Sequence, residues 1–305
     1  MISRFGRQLK WMVAIVLLLA LAVWVERTVG WRELLRPWTR FPASELVLLV
    51  GLTAVSYLTR AMRLYDLYHP RLGGAFHRYL RINVLHTTLL NLLPMRMGEA
   101  AFPVMMKRNF GERYANSVAN LVWLRVADLW ILLWLGCVVF AIKGTSWLWP
   151  IVVAGVIMPL LLQPLRAFIL RASDGNRNRA ARLSRLLVEG LPNGYTRYLR
   201  LLFWGLATWS AKLAAFVSIA GFFVAGPEYA LLPGVIAAEI SNALPIQGLA
   251  GFGNYELAMV MGGAWSGIPT EGLLAAAVNL HLFILACTLL FGAMAWLIPT
   301  AEHRG

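Results

Sequence analysis

The sequence Leu93-Pro94-Met95-Arg96-Met97-Gly98-Glu99 interrupts an otherwise apolar stretch that runs from Tyr79 to Met106. A second apolar stretch, Leu231–Ala264, is interrupted by proline and glycine between Leu244 and Gly253. Proline cannot donate its backbone hydrogen bond and glycine tolerates irregular backbone, so each stretch predicts two half-length helices around a break. In a lipid bilayer such a break is stable only when protein buries it or when it lines a wet cavity. The pattern therefore predicts two re-entrant helical hairpins.

The composition agrees with a chain that is surrounded mainly by lipid. Of its 305 residues, 59% are hydrophobic and only 14% are charged, whereas soluble domains carry about 25% charged residues. Lys and Arg number 28 against 14 Asp and Glu, which gives a net charge of +14. These values exclude a disordered chain and a soluble α/β enzyme. The two cysteines, Cys137 and Cys287, both lie in apolar runs, which excludes a disulfide scaffold.

Six further stretches have about the 20 apolar residues that a helix needs to cross a bilayer. They are roughly 9–28, 43–62, 116–142, 147–166, 200–225 and 272–298. The first resembles a signal peptide, but Glu26 and Arg27 follow it where a cleavage site would be expected, so we interpret it as an uncleaved span. The predicted fold is an all-α integral membrane protein, a single transmembrane domain over residues 1–305 with six transmembrane helices and two re-entrant hairpins.

The distribution of Lys and Arg predicts the orientation. If each hairpin returns to the side from which it enters, most basic residues lie on one side, and the positive-inside rule makes that side cytoplasmic. Both termini are then cytoplasmic, as is the arginine-rich loop 171–199. Within this loop Arg179, Arg182 and Arg185 have helical spacing, which is typical of a helix lying on an anionic leaflet. A simple topological role for the loop is equally compatible with the sequence.

The chain also contains an internal repeat. Asn91-Leu-Leu-Pro94 matches Asn242-Ala-Leu-Pro245, and both halves have the order span, hairpin, span, over about 43–142 and about 200–298. The first hairpin enters from the cytoplasmic side and the second from the outer side. The predicted halves therefore have inverted topology, which is typical of secondary transporters with binding sites near the membrane midplane.

Ionisable residues inside a membrane cost about 2.5–3.5 kcal/mol each on insertion scales, so each is a functional candidate. The predicted substrate-binding residues are Arg96, Glu99, Arg125, Asp128, Lys212, Glu239 and Glu256. The predicted hairpin breaks comprise Asn91, Pro94, Gly98, Asn242, Pro245, Gly248, Gly251 and Gly253. Arginine heads and free backbone amides at the breaks could together bind an anion.

Structural roles compete with binding at several of these positions. Arg125 and Asp128 are three residues apart and could form a purely structural pair. Lys212 and Glu239 could extend to the membrane surface. His86 and His281 lie on apolar faces, where packing is the commoner role, and Asn91 and Asn242 are expected to cap half-helices.

No pattern for other chemistry is found. The sequence lacks a Walker motif, metal-binding spacing and a nucleophile motif, so we expect no catalytic residue, no metal, no cofactor and no enzymatic activity. Nucleic-acid binding is not expected, because no folded basic domain could present the charge. Homodimer formation stays open.

The motifs Pro94-x-Arg96-x-Gly98-Glu99, Arg125-x-x-Asp128 and Pro245-x-x-Gly248-x-x-Gly251-x-Gly253-x-x-Glu256 resemble the transmembrane region of lysylphosphatidylglycerol synthases, which also occurs in stand-alone flippase-like proteins. The resemblance covers roughly residues 10–298. In bifunctional members it implies movement of aminoacylated lipid ahead of a cytosolic transferase domain. This sequence ends at Gly305 without such a domain, so we expect no aminoacyl-lipid synthesis and leave the lipid open. Gln247 and Leu249-Ala250 depart from the family's Pro-Gly-Gly-like form.

The leading hypothesis is a translocator in the bacterial cytoplasmic membrane that moves a phospholipid, a prenyl-phosphate lipid or another lipid-linked anion between leaflets. Arg96 and Arg125 would hold the phosphate, while Glu99, Asp128 and Glu256 would balance charge or carry protons. The alternatives are an integral-membrane lipid transferase with Glu99 or Asp128 as base, and a non-transporting partner of a lipid-modifying enzyme.

Overall fold

The computed structural model describes residues 22–172, 194–242 and 249–298, with a few more residues between 12 and 20 and between 178 and 191. Over these residues the chain is helical and contains no strand. The α-helices are α1 Trp31–Leu35, α2 Ala43–Leu72, α3 Phe76–Leu92, α4 Ala101–Phe110, α5 Tyr114–Ile142, α6 Trp149–Ala172, α7 Tyr195–Phe222, α8 Leu232–Ser241, α9 Asn254–Gly263 and α10 Thr270–Trp296.

Five segments of the described chain are long and apolar enough to cross a membrane. They are Ala43–Leu72, Tyr114–Ile142, Ser146–Ala172, Tyr195–Phe222 and Thr270–Trp296. Each coincides with one of the predicted spans. The remaining predicted span, 9–28, lies largely outside the described residues, although residues 22–28 are helical.

Helix α2 is ten residues longer than the apolar run 43–62 predicts, and it places Arg60 and Arg63 inside a spanning helix. The helix therefore continues past the predicted end of the span and includes Arg63. The physical reason is charge compensation, because Arg63 donates to Asp128 of α5 at 2.7 Å. Gly205 of α7 provides the space: a Cβ there would lie 2.9 Å from the Arg63 guanidinium.

The first interrupted stretch forms two helices joined by a short 3-10 segment. Helix α3 has 17 residues, the 3-10 segment is Pro94–Ala100, and α4 has 10 residues. Gly98 packs directly on the end of α3, since a Cβ at this position would lie 2.5 Å from the Leu89 carbonyl group. A larger residue would push the break away from α3, so the close return of the chain depends on this glycine.

The second interrupted stretch also forms two helices, α8 and α9, of 10 residues each. Between them the structure describes residue 242 and residues 249–253, so the predicted break residues Pro245 and Gly248 lie outside the described residues. Small residues bring the two helices together: a Cβ on Gly234 would lie 2.8 Å from the Met259 carbonyl oxygen, and one on Gly262 would overlap the Ala237 side chain.

The two halves of the chain pack on each other in a reciprocal pattern. The first long helices of the halves, α2 and α7, pack together. Helix α3 packs on α10, the last helix of the other half, while α8 packs on α5, the last helix of the first half. The two breaks, Pro94–Ala100 and Leu249–Gly251, contact each other. The centre of the molecule is therefore the place where both irregular segments meet.

Candidate functional site

A cavity of about 640 Å³ lies where the two halves meet. Apolar and charged side chains both line it. The polar lining residues are Arg60, Asn91, Arg96, Glu99, Arg125, Asp128, Trp209, Lys212, Glu239, Asn242, Tyr255 and His281. Six of the seven predicted binding residues are therefore brought to one cavity. The seventh, Glu256, is completely buried and contacts the lining residue His281.

Glu99 anchors the first break to helix α5. Its Oε1 accepts hydrogen bonds from Arg96 and, at 3.0 Å, from Nε of Arg125. His86 of α3 approaches the other carboxylate oxygen, with 3.6 Å between His86 Nε2 and Glu99 Oε2. One carboxylate is thus shared by two guanidinium groups, so its single charge cannot neutralise both.

Arg96 joins the first break to the second. Its guanidinium donates to the main-chain carbonyl of Asn242 as well as to Glu99. Arg96 has a φ of 54°, and Ala250 at the other break has the same value. Non-glycine residues with positive φ are uncommon, and backbone strain of this kind concentrates at functional sites. Both breaks therefore hold a left-handed residue next to the cavity.

Asp128 is held mainly by residues from other helices. Its Oδ1 accepts from Arg63 at 2.7 Å and from the indole N–H of Trp209 at 3.1 Å. The predicted pair between Arg125 and Asp128 is much looser, with 3.9 Å between Arg125 Nη1 and Asp128 Oδ2. The pair that the spacing predicts is therefore present, but each residue has a closer partner on another segment of the chain.

Lys212 and Glu239 form a direct ion pair of 2.6 Å. The ammonium group also lies over the rings of Trp209 and Phe216 at 4.8 and 5.0 Å, and the Tyr255 hydroxyl donates to Glu239 at 3.4 Å. Extension of either side chain to the membrane surface is therefore contradicted, since Lys212 and Glu239 turn towards each other.

Glu256 and His281 form a second buried pair. Glu256 accepts from the main-chain N–H of Gly253 at 2.8 Å and lies 2.6 Å from His281 Nδ1. His281 Nε2 lies 2.9 Å from the carbonyl oxygen of Ala250. A carbonyl oxygen only accepts, so Nε2 carries a proton, and the short contact to Glu256 needs another. The pair thus holds one proton more than a neutral imidazole beside a carboxylate, and its net charge is zero.

The other residues that were predicted to form the two breaks have different roles in the structure. Asn91 does not cap α3, because its amide donates to the Thr288 hydroxyl of α10 at 2.9 Å. Asn242 is the C-cap residue of α8, and its main-chain oxygen accepts a hydrogen bond from Arg96. Gly251 and Gly253 have positive φ angles of 86° and 97°, as an irregular turn requires. Pro94 opens the 3-10 segment.

Arg60 is a cavity residue that the sequence analysis missed. It lines the cavity from α2, and within the described part of the chain no hydrogen bond or ion pair engages its guanidinium. It lies close enough to Asp128, Arg63 and Arg125 to interact with them electrostatically. The available signal was its spacing of three residues from Arg63, which puts both arginines on one helical face.

The family comparison agrees with this architecture. The model of the lysylphosphatidylglycerol synthase transmembrane region matches residues 11–292, so the chain belongs to this family of integral membrane domains and is a multi-pass membrane protein. The suspected resemblance is thereby confirmed. The search of curated proteins and the search of solved structures gave no match.

Replacing Asp128 by Asn should strongly destabilise the protein. The variant leaves the buried charge of Arg63 without its carboxylate, and breaking a buried ion pair costs about 3–5 kcal/mol. The matched control is Glu189→Gln, which breaks the exposed pair of Arg185 and Glu189 (2.9 Å) and should cost about 1 kcal/mol or less. Thermal unfolding of both variants in detergent measures the difference. Equal unfolding midpoints would contradict the assigned role of Asp128.

Proposed function

We propose that the protein is a lipid translocator that moves a phosphate-bearing phospholipid or prenyl-phosphate lipid between the two leaflets. The observation that carries this proposal is a charged cavity set in apolar helices and open along one of them. Val118, Val122, Val126 and Leu129 of α5 line the cavity and are each at least 36% exposed. In a membrane this exposed apolar face contacts lipid, so acyl or prenyl tails can stay in the bilayer while the headgroup enters.

The lining residues suit a phosphate. Guanidinium groups form short, charge-assisted hydrogen bonds with phosphate oxygens. Arg125 binds Glu99 through its Nε and lines the cavity together with Arg96. Glu99, Asp128 and Glu239 offset part of the positive charge when the cavity is empty, with Lys212 already bound to Glu239.

The proposed topology is the six-span arrangement with two re-entrant hairpins, cytoplasmic termini and halves of inverted topology. Three features support the repeat: the reciprocal packing of the halves, the matching Asn–Pro motifs, and the left-handed residues Arg96 and Ala250 at the two breaks. In such repeats, alternating access arises when one half moves against the other around a fixed site. The contact from Arg96 to Asn242 would break and re-form during this movement.

The proposed location is the bacterial cytoplasmic membrane. The basic loop 171–199 would lie against the anionic leaflet, but most of it is outside the described residues. Its described part contains the exposed pair of Arg185 and Glu189. A homodimer and a partner enzyme stay open, and the assay below uses the protein alone.

Reconstituted protein should exchange labelled anionic lipids between leaflets, and Arg96→Gln should slow this exchange at least tenfold. The variant removes the charge that bridges the two breaks and faces the phosphate. Arg108→Gln is the matched control, because Arg108 is exposed at the end of α4 and its loss should leave the rate within twofold. The measurement is accessibility of labelled phosphatidylglycerol or prenyl phosphate to a membrane-impermeant reagent.

Size-exclusion chromatography must first show that both variants are folded. Full exchange by folded Arg96→Gln would contradict the proposed phosphate site. Mass spectrometry of the recovered lipid separates translocation from catalysis, since a translocator returns its lipid unchanged. A covalently altered lipid would instead support an integral-membrane transferase.

The buried pair of Glu256 and His281 is the proposed proton carrier, because the two side chains lie 2.6 Å apart and His281 lines the cavity. Glu256→Gln preserves the shape and the hydrogen bond but removes the exchangeable proton. We expect wild-type exchange to accelerate several-fold when a pH gradient is imposed, and the ratio of rates with and without the gradient to fall to one in the variant. A variant that keeps the wild-type ratio would contradict proton transfer through this pair.

A further inference from the structure

The charges around the cavity do not balance. Five cationic side chains, Arg60, Arg63, Arg96, Arg125 and Lys212, either line the cavity or bind a carboxylate that lines it. Three carboxylates, Glu99, Asp128 and Glu239, face them. The pair of His281 and Glu256 is neutral as a unit, and residues 243–248, next to the cavity in sequence, contain no ionisable side chain. The described site therefore has an excess of two positive charges.

The two excess positive charges can be assigned to particular side chains. Lys212 and Arg63 each have a carboxylate of their own, Glu239 and Asp128, at 2.6 and 2.7 Å. Glu99 forms ion pairs with both Arg96 and Arg125. Its single negative charge compensates one of the two arginines, so one positive charge is in excess. Arg60, which has no ion pair within the described residues, contributes the second. Arg60 and Arg125 both line the cavity, and Arg60 is close enough to interact with the charges of both Asp128 and Arg125.

An uncompensated pair of like charges in an apolar wall is costly, because the low dielectric strengthens their repulsion. An anion between them would remove this cost, and the best-matched anion carries two charges. A phosphate monoester has its second pKa near 6 and carries about −1.5 to −2 at neutral pH, and a diphosphate also carries at least two charges. A phosphodiester headgroup offers only one charge from its phosphate.

We propose that the cavity is a site for a doubly charged phosphate, a monoester or a diphosphate, and that Arg60 contacts this group directly together with Arg125. The inference rests on the proposed function and narrows its lipid class to lipids that end in a phosphate monoester or a diphosphate, such as prenyl phosphates. The apolar side of the cavity, formed by Val118, Val122 and Val126, accommodates the first units of the chain and favours a lipid source over a free phosphate ion.

The test compares three probes on the purified full chain in detergent at pH 7.5: farnesyl monophosphate, its methyl ester, and inorganic phosphate. The first two have the same chain and differ by one negative charge. Isothermal titration calorimetry should show that the monophosphate binds at least tenfold more tightly than the methyl ester. Inorganic phosphate should bind at least a hundredfold more weakly than the monophosphate, because it lacks the apolar chain.

Arg60→Gln should reduce the preference for the monophosphate over the methyl ester to less than threefold, whereas Arg108→Gln should keep the wild-type preference. Arg60→Lys retains the charge and should keep at least a fivefold preference, which separates charge recognition from packing. If Arg60→Gln does not fold, the wild-type and Arg60→Lys measurements still test the proposal.

The outcomes distinguish this inference from the proposed function. Equal binding of the monophosphate and its methyl ester would contradict the proposed preference for a doubly charged phosphate. The proposal of a phosphate-lipid site would be unaffected. An unchanged preference in folded Arg60→Gln would overturn the role of Arg60. Binding of inorganic phosphate as tight as that of the monophosphate, or the absence of binding by both farnesyl probes, would overturn the proposed lipid function itself.

Discussion

Charges buried among apolar helices must be compensated, and this constraint organises the centre of the molecule. Each carboxylate at the cavity has a cationic partner from another segment of the chain: Arg63 of α2 for Asp128 of α5, Lys212 of α7 for Glu239 of α8, and Arg125 of α5 for Glu99 of the first break. These contacts connect helices that are far apart in sequence. Because removal of either partner would leave a bare charge in the interior, they also determine which helices can be neighbours.

The two breaks depend on this network. The first break returns onto α3 because Gly98 allows direct backbone contact, and Arg96 then reaches across to the main chain of Asn242. Glycine provides the close approach and arginine provides the link between the halves. The lining of the resulting cavity combines hydrogen-bond donors with exposed valines of α5. A polar headgroup and an apolar tail need such a combination at the same time.

The sequence predicted the features that depend on local pattern. Hydropathy located five spans, and proline and glycine located both breaks. The cavity lining at Arg96, Glu99, Arg125, Asp128, Lys212 and Glu239 followed from the cost of burying charge. Pairing was not predictable in the same way, because spacing along a helix finds only partners on that helix. Arg125 and Asp128 therefore appeared to be a pair, while their closest partners lie on the first break and on α2.

The C-terminal end of α2 also depends on distant parts of the sequence, which a local pattern does not reveal. An apolar window ends where charges begin, so the predicted span stopped at residue 62, between Arg60 and Arg63. The helix continues because Asp128 and Gly205 offer a charge and a space that belong to distant parts of the sequence. Arg60, for which the described residues provide no ion-pair partner, was not recognised as a cavity residue, although it bears on which lipid the protein would carry.

The central claim is that the phosphate of a lipid occupies the cavity between the halves. An experimental structure of the protein in lipid nanodiscs that contain a prenyl monophosphate tests this most directly. The account predicts phosphate density in contact with the guanidinium groups of Arg60 and Arg125, at about 2.7–2.9 Å between nitrogen and oxygen, with the chain leaving along Val118 and Val122. A headgroup bound elsewhere, or arginines that point to bulk water with an empty cavity, would contradict it.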